Sequence, residues 1–294
     1  MIKKIFGCLV AILFLFQIAY AENKVINWYH ANFPPGFIEI GSMKNDGYEN
    51  YLERLIRDNL SDYSHSYRTA NYSRILEQIR TTNACCVALL RNSEREKYIE
   101  YSLPTMIALS NGIFIESERI DEFKPFIDEY GYISIKDLFH NSEFNMGVSK
   151  GRIYGGAIDE ILNKYHDSMK IHIRSGDDVL RGLVEMMKEG RKIDYVIGYP
   201  HEINWLNYIR MLEGDLSFMS IKFIPIKEMP KYVISQIGCS KNEWGKKVIR
   251  RINKLLGGKY IQEYKERYQR FLPPEAIKIH ERYIDEVFPI SNTH

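Results

Sequence analysis

Arg95 stands in the run Asn92-Ser93-Glu94-Arg95-Glu96, directly after the apolar stretch Ala84–Leu90. Ligands of open α/β sheets gather beyond the carboxyl ends of strands, and a guanidinium there is placed to hold a carboxylate with two parallel donors. The competing reading is a solvated arginine in a charged loop. A second candidate is Gly147–Gly156 (GVSKGRIYGG), which reads as strand, glycine turn and helix. Free N–H groups at a helix start attract anions, and with Arg152 beside Ser149 and Gly151 they predict an electropositive wall that favours an anionic ligand. The Gly-Lys-Ser/Thr ending of a phosphate-binding loop is missing, and an ordinary helix start is the simpler alternative.

Tyr29, Phe33, Phe37 and Tyr48 cluster around the end of the first apolar run, where aromatic rings sandwich small ligands or pack as core. His201-Glu202 has Trp205 where a zinc-binding helix needs its second histidine, so that metal pattern fails. No Gly-x-Ser-x-Gly elbow occurs, and the other histidines stand alone. The acidic pair Asp177-Asp178 opens a helix, where capping explains it. These residues nominate a binding site and no catalyst, metal or cofactor.

The elements that would position them alternate regularly. Val25–Tyr29 reads as a strand, Tyr48–Leu60 as a helix, Tyr63–Arg68 as a strand, Tyr72–Arg80 as a helix and Ala84–Leu90 as a buried strand. A second series follows Pro104: strand Ile107–Ile115, a helical turn at Ile135–Phe139, strand Asn145–Val148 and helix Tyr154–Tyr165. Strand Lys170–Ile173, helix Asp177–Lys188 and strand Ile193–Ile197 continue it. Strand Lys231–Gly238 and helices Trp244–Leu256 and Tyr260–Arg270 close the chain. Strand–helix alternation of this kind predicts two α/β units, each a mostly parallel sheet covered by helices.

Composition agrees with a folded chain: 294 residues, 45% hydrophobic and 27% charged. Residues 1–21 have the layout of a secretory signal peptide, with Lys3 and Lys4, an apolar run from Ile5 to Ile18, and Ala19-Tyr20-Ala21 at the cleavage site. The two lysines of that segment bring 40 basic residues down to 38, against 38 acidic ones. A neutral mature chain argues against nucleic acid and against a polybasic membrane patch, and no later apolar run is long enough to span a bilayer. The expected location is the periplasm, where a disulfide is permitted. Of Cys85 and Cys86, neighbours on a strand facing opposite ways, at most one reaches Cys239.

From Cys85 to Pro104 the chain resembles a known family. Cys85-Cys86-Val87-Ala88-Leu89-Leu90, Asn92-Ser93-Glu94-Arg95-Glu96 and Tyr101-Ser102-Leu103-Pro104 resemble the third-strand signature of periplasmic solute-binding proteins of the polar-amino-acid type. In that signature the motif arginine binds the ligand. Phe33-Pro34-Pro35-Gly36-Phe37 is similar to the family's loop after the first strand, Gly147-Val148-Ser149-Lys150-Gly151 to its glycine turn, and Glu189-Gly190-Arg191-Lys192-Ile193-Asp194 to the start of a later strand. The likeness spans roughly residues 25–270. Two departures stand out: Arg152 replaces the usual Ser or Thr, and Gly198-Tyr199-Pro200-His201 lacks the acid that holds an ammonium. The resemblance therefore carries the carboxylate half of an amino-acid site further than the ammonium half. Asn71, Arg74, Cys85 and Cys239 are similar to an orphan subgroup in which a cysteine lies ten residues before the motif arginine. That spacing implies a Cys85–Cys239 bridge.

The resemblance implies a two-lobed periplasmic-binding-protein-like fold (type II), with residues 22–108 and 231–294 in one lobe, 109–230 in the other, and two hinge strands between. It implies a monomer that closes on a small molecule, with an ABC transporter membrane component as its partner. The expected ligand contacts are Arg95, Tyr29, Phe37 and Ala88 from the first lobe, and Ser149, Gly151, Arg152 and Tyr199 from the second. A stand-alone sensor of the same fold is the main alternative. An exported enzyme of the dehydratase type is the other, with His201 and Glu202 as its acid–base candidates.

Overall fold

The computed structural model describes residues 24–150, 152–175, 179–190, 192–214, 221–256 and 259–288. The expected signal peptide, Gly151, Asp177, Asp178 and Arg191 lie outside the described residues. The chain divides into two units. One holds the described residues up to Met106 together with Ile234–Tyr268, and the other holds Ile107–Val233 and the described residues from Gln269 onward. The sequence reading draws its boundaries at 108/109 and 230/231 and keeps the last residues with the first lobe.

The first unit's sheet comprises β1 (Val25–His30), β2 (Ser64–Thr69), β3 (Ala84–Leu90), β4 (Ile99–Leu109) as far as Met106 and β10 (Tyr232–Ser240) from Ile234 on, in the order β2-β1-β3-β10-β4. β1 runs parallel to β2 and β3, while β10 runs antiparallel to β3. Helices α1 (Tyr48–Asn59) and α2 (Tyr72–Thr81) make the crossovers between the parallel strands. Ile75 and Ile79 lie one turn apart on α2 and pack on Tyr29, Ala84, Cys86 and Leu89. β4 runs straight through Pro104, where the sequence reading placed a break. β4 is an edge strand of this sheet, the position at which a sheet tolerates proline.

In the second unit the sheet order is β7-β6-β8-β5-β9, from β5 (Gly112–Glu116), β6 (Met146–Ser149), β7 (Ile171–Arg174), β8 (Tyr195–Gly198) and β9 (Ile221–Pro225). β6 is parallel to β7 and β8, and β5 is antiparallel to β8 and β9. The period of two sorts its side chains onto two covered faces. Ile113, Ile115, Tyr195 and Ile197 join the core around α3 (Ile135–Asn141) and α4 (Gly156–Lys164). Phe114 and Val196 join the opposite core with Leu183, Val184 and Met187 of α5 (Val179–Lys188) and Ile203 and Leu206 of α6 (Pro200–Leu212). β9, α6 and the last helix, Pro274–Val287, escaped the sequence reading. α6 carries apolar side chains all round rather than in one stripe, so it shows no helical periodicity. The first unit also takes in α7 (Glu243–Leu255) and, apart from its last residue, α8 (Lys259–Gln269); α9 (Pro274–Val287) belongs to the second. His280, fully buried on α9, bonds the carbonyl of Ile107 through Nε2 at 2.9 Å and ties that helix to the end of β4.

Cys85 and Cys239 face each other across β3 and β10 and form a disulfide, with Cα atoms 4.1 Å apart. Cys86 points the other way, buried as a free thiol in the core under α2. The bridge closes a loop with a sequence separation of 154. Replacing both cysteines by alanine is expected to destabilise the chain by about 2–4 kcal/mol. Urea unfolding of the oxidised protein and the double variant measures this; equal midpoints would refute it.

Candidate functional site

β3 ends in a bulge. Cys86 pairs with Gly238 and Leu89 with Gln236, so β3 carries one residue more than β10 over this stretch. Ala88 takes the extra position with φ of 61°, a left-handed conformation that a residue with a Cβ adopts only under constraint. The bulge returns Leu89 to the face of Cys86 and leaves Leu90 exposed at the strand end. Arg95 follows in a short 3₁₀ turn whose first N–H donates to Asn92 Oδ1 at 2.9 Å. Its guanidinium donates through Nη1 to the carbonyl of Leu90 at 2.9 Å. Among the described residues no carboxylate pairs with it.

Of the aromatic candidates of the first unit, Tyr29, Phe37 and Tyr48 are buried and Phe33 is half-buried. Tyr29 is buried, its hydroxyl donating to Gln78 on α2 at 3.0 Å. Phe37 is 3% exposed and stacks on the His30 ring, centroids 4.5 Å apart. The Phe33–Phe37 loop is pinned by the start of α1, where the N–H groups of Glu49 and Asn50 donate to the Gly36 carbonyl. Gly47 makes this approach feasible, because a Cβ there would collide with Gly36.

His30 is the polar centre that sequence reasoning missed. It is buried between two carboxylates, with Nε2 2.8 Å from Glu39 and Nδ1 3.2 Å from Glu53. Burial works against its charge, but Glu53 and Glu39 outweigh it and raise the imidazole above its ordinary value. The signal was faint: three separated residues that only the packing of β1, α1 and the segment between them brings together. Next to Glu53 along α1, Glu49 is wholly buried. Desolvation, with a smaller push from Glu53 and against the Tyr264 hydroxyl, raises its carboxyl from 4.5 to about 8.

A carboxyl whose folded pKa is raised stabilises the fold while protonated. That contribution is full below pH 4.5 and drains away as the pH climbs to about 8. Glu49→Gln is therefore expected to flatten the pH dependence and to gain roughly 1–3 kcal/mol at pH 8 relative to pH 5. Melting curves of both proteins across that range decide it; parallel profiles would show that Glu49 stays ionised in the fold.

The glycine-turn candidates of the second unit do come together, but their groups are already engaged. The Ser149 N–H donates to the Tyr154 hydroxyl at 2.8 Å, and the Lys150 N–H to the Arg174 carbonyl at 2.8 Å. Asp159 reaches back to accept from the N–H groups of Tyr154 and Gly155 at 3.0 and 2.8 Å. The chain's own carboxylate thus fills the anion site expected at this helix start. α4 accordingly begins at Gly156 rather than Tyr154.

Arg152 also departs from expectation. It makes a two-pronged pair with Glu202 of α6, Nη1–Oε1 2.9 Å and Nη2–Oε2 2.8 Å, with side chains 15% and 6% exposed. The guanidinium lies over the rings of Tyr154 and Tyr199 at 5.0 and 5.1 Å, and Asn111 is at 3.5 Å. Burial opposes its charge, and Glu202 more than restores it, so Arg152 stays protonated. The electropositive wall is therefore neutralised in place. Glu202 Oε2 also accepts from the Tyr199 N–H at 2.7 Å, which leaves it engaged on both oxygens. His201, stacked on Tyr199 at 5.2 Å, is pushed down to about 4 by burial and stays neutral at pH 7.

No family model matches the chain, and no curated protein matches it in sequence. Solved structures do match over most of its length. An ancestral cationic amino-acid solute-binding protein is 13% identical over 86% of this chain and 97% of that one, with a TM-score of 0.58. A probable amino-acid ABC transporter extracellular-binding protein from Bacillus subtilis is 16% identical over 85% and 97%, TM-score 0.58. A histidine kinase sensor domain with similarity to periplasmic binding proteins is 12% identical over 84% and 93%, TM-score 0.56.

The chain has the two-lobed periplasmic-binding-protein-like fold. At these identities the likeness establishes the fold and no ligand. Among the described residues no helix is long and apolar enough to cross a membrane.

Proposed function

We propose that the protein is a periplasmic solute-binding protein that captures a small carboxylate-bearing ligand, amino-acid-like or an organic anion, for an ABC transporter. One observation carries the reading: Arg95 sits past the carboxyl end of β3 with its guanidinium anchored to the Leu90 carbonyl and no carboxylate partner among the described residues. A guanidinium held by one donor keeps others for a ligand carboxylate. Ala88 at the bulge flanks it on the same strand end. In the second unit the reading gives the contact role to Ser149 and Tyr199, with Arg152 answered by Glu202 rather than by a ligand anion. Membership of the orphan subgroup belongs to this proposal, since Cys85 lies ten residues before Arg95 and is bonded to Cys239.

Thermal-shift screening against amino acids, dicarboxylates and small peptides tests the reading, because a ligand bound to the folded state raises the melting temperature by mass action. A hit that needs its carboxylate supports it. Stabilisation by amines or sugars with no response to carboxylates would overturn it. The neighbouring sensor-domain structure favours a second reading, ligand sensing without a transporter. Co-purification with a transporter's membrane component or with a signalling protein separates the two.

A further inference from the structure

The second unit contains a cavity of about 90 Å³ between the Ser110-Asn111 turn, Tyr132, the segment from Phe223 to Lys231, and α9. Its walls are mostly carbon, from Leu109, Phe223, Pro225, Ile226, Ala276 and Ile279. Most polar groups at its edge are already satisfied. The Tyr132 and Tyr283 hydroxyls bond each other, and the Asn111 amide donates to the Tyr154 carbonyl at 3.2 Å. Two are not. Ser110 is 7% exposed, and its hydroxyl, itself shielded from the cavity, has no hydrogen-bond partner among the described residues. Lys231 is exposed at the rim, its Nζ 5.7 Å from the Tyr283 ring, and no described carboxylate pairs with it.

An apolar chamber with one unpaired cation at its rim selects a ligand with an apolar body and a single acidic end. Size narrows it further. A cavity of about 10–15 Å³ holds one water and one of about 150 Å³ holds the six heavy atoms of benzene, so this one takes an apolar body of roughly three to four heavy atoms. We propose that this cavity is a second ligand site, for a short-chain monocarboxylate of about four or five carbons, with Lys231 at the rim taking the carboxylate. The site lies wholly within the second unit and does not involve Arg95, which belongs to the first.

The test is an NMR titration of the full chain with isovalerate and with isovaleramide, its neutral counterpart. Wild type should bind both saturably, the acid more tightly. Lys231→Met should weaken isovalerate by about tenfold and leave the amide unchanged, since it removes only a charge. Ala276→Leu, which fills the chamber, should abolish both, with its melting curve confirming that it folds. Both titrations are repeated on Arg95→Ala, which lacks the carboxylate anchor proposed for the first unit, and saturable binding of both ligands should persist there. Absence of saturable binding to wild type overturns the proposal, as does wild-type affinity in Ala276→Leu. Equal isovalerate affinity in Lys231→Met overturns the acidic ligand class. Loss of binding in Arg95→Ala alone would assign the carboxylate to the first unit's site and remove this one.

Discussion

Arg95→Ala is expected to weaken binding of the screened carboxylate ligand by about 2–5 kcal/mol, and Arg95→Lys by nearly as much. The guanidinium offers two parallel donors matched to a carboxylate, whereas an ammonium is a point charge on a flexible stem. Lysine would also lose the second function seen here, because Arg95 uses Nη1 to hold the Leu90 carbonyl while keeping other donors outward. Folding stability should barely change, since the residue is only half-buried and makes no ion pair among the described residues. Calorimetry on wild type and both variants measures the affinities, and urea unfolding measures stability. Wild-type affinity in Arg95→Ala would make it a surface arginine and withdraw the proposed function. A lysine variant that binds normally would keep the charge and discard the two-pronged geometry.

Glu202→Gln is expected to destabilise the second unit by about 3–5 kcal/mol, because it leaves the Arg152 charge buried without its counter-ion. The residual contacts over Tyr154 and Tyr199 are too weak to replace a desolvated carboxylate. Arg152→Met should cost a similar amount by stranding Glu202 instead. The double variant Arg152→Met/Glu202→Leu should recover most of the loss, since an apolar pair removes both desolvation penalties together. A double-mutant cycle from urea unfolding gives the coupling. If each single variant falls within about 1 kcal/mol of wild type, the pair is hydrated and the second unit's polar centre is open to ligand after all.

Much of the architecture was legible because strands and helices are selected by local patterns. The β5 sequence Gly112–Glu116 and β8 alternate so that Ile113, Ile115, Tyr195 and Ile197 face one core and Phe114 and Val196 the other. The placement of Arg95 after Ala84–Leu90 likewise follows from chain order, because a residue just past a buried strand must emerge at that strand's end. Helix α6 was missed because its apolar residues form no stripe, and β9 because a five-residue strand carries too little pattern.

The sequence by itself determined the alternation of elements, the strand end that carries Arg95 and the short list of cysteine pairings. Tertiary structure alone decided which polar groups answer one another. Arg152 and Glu202 are 50 residues apart, His30 and Glu53 are 23 apart, and nothing local relates either pair. Tyr29 and Phe37 could have lined a ligand or a core, and only the packing of α2 and the stacking on His30 chose the core. The physical reason is one of range. Hydrophobic periodicity acts between neighbours on one element, whereas the partner of a buried charge is whichever opposite charge the fold delivers within about 3 Å, and leaving it unpaired costs too much to be tolerated.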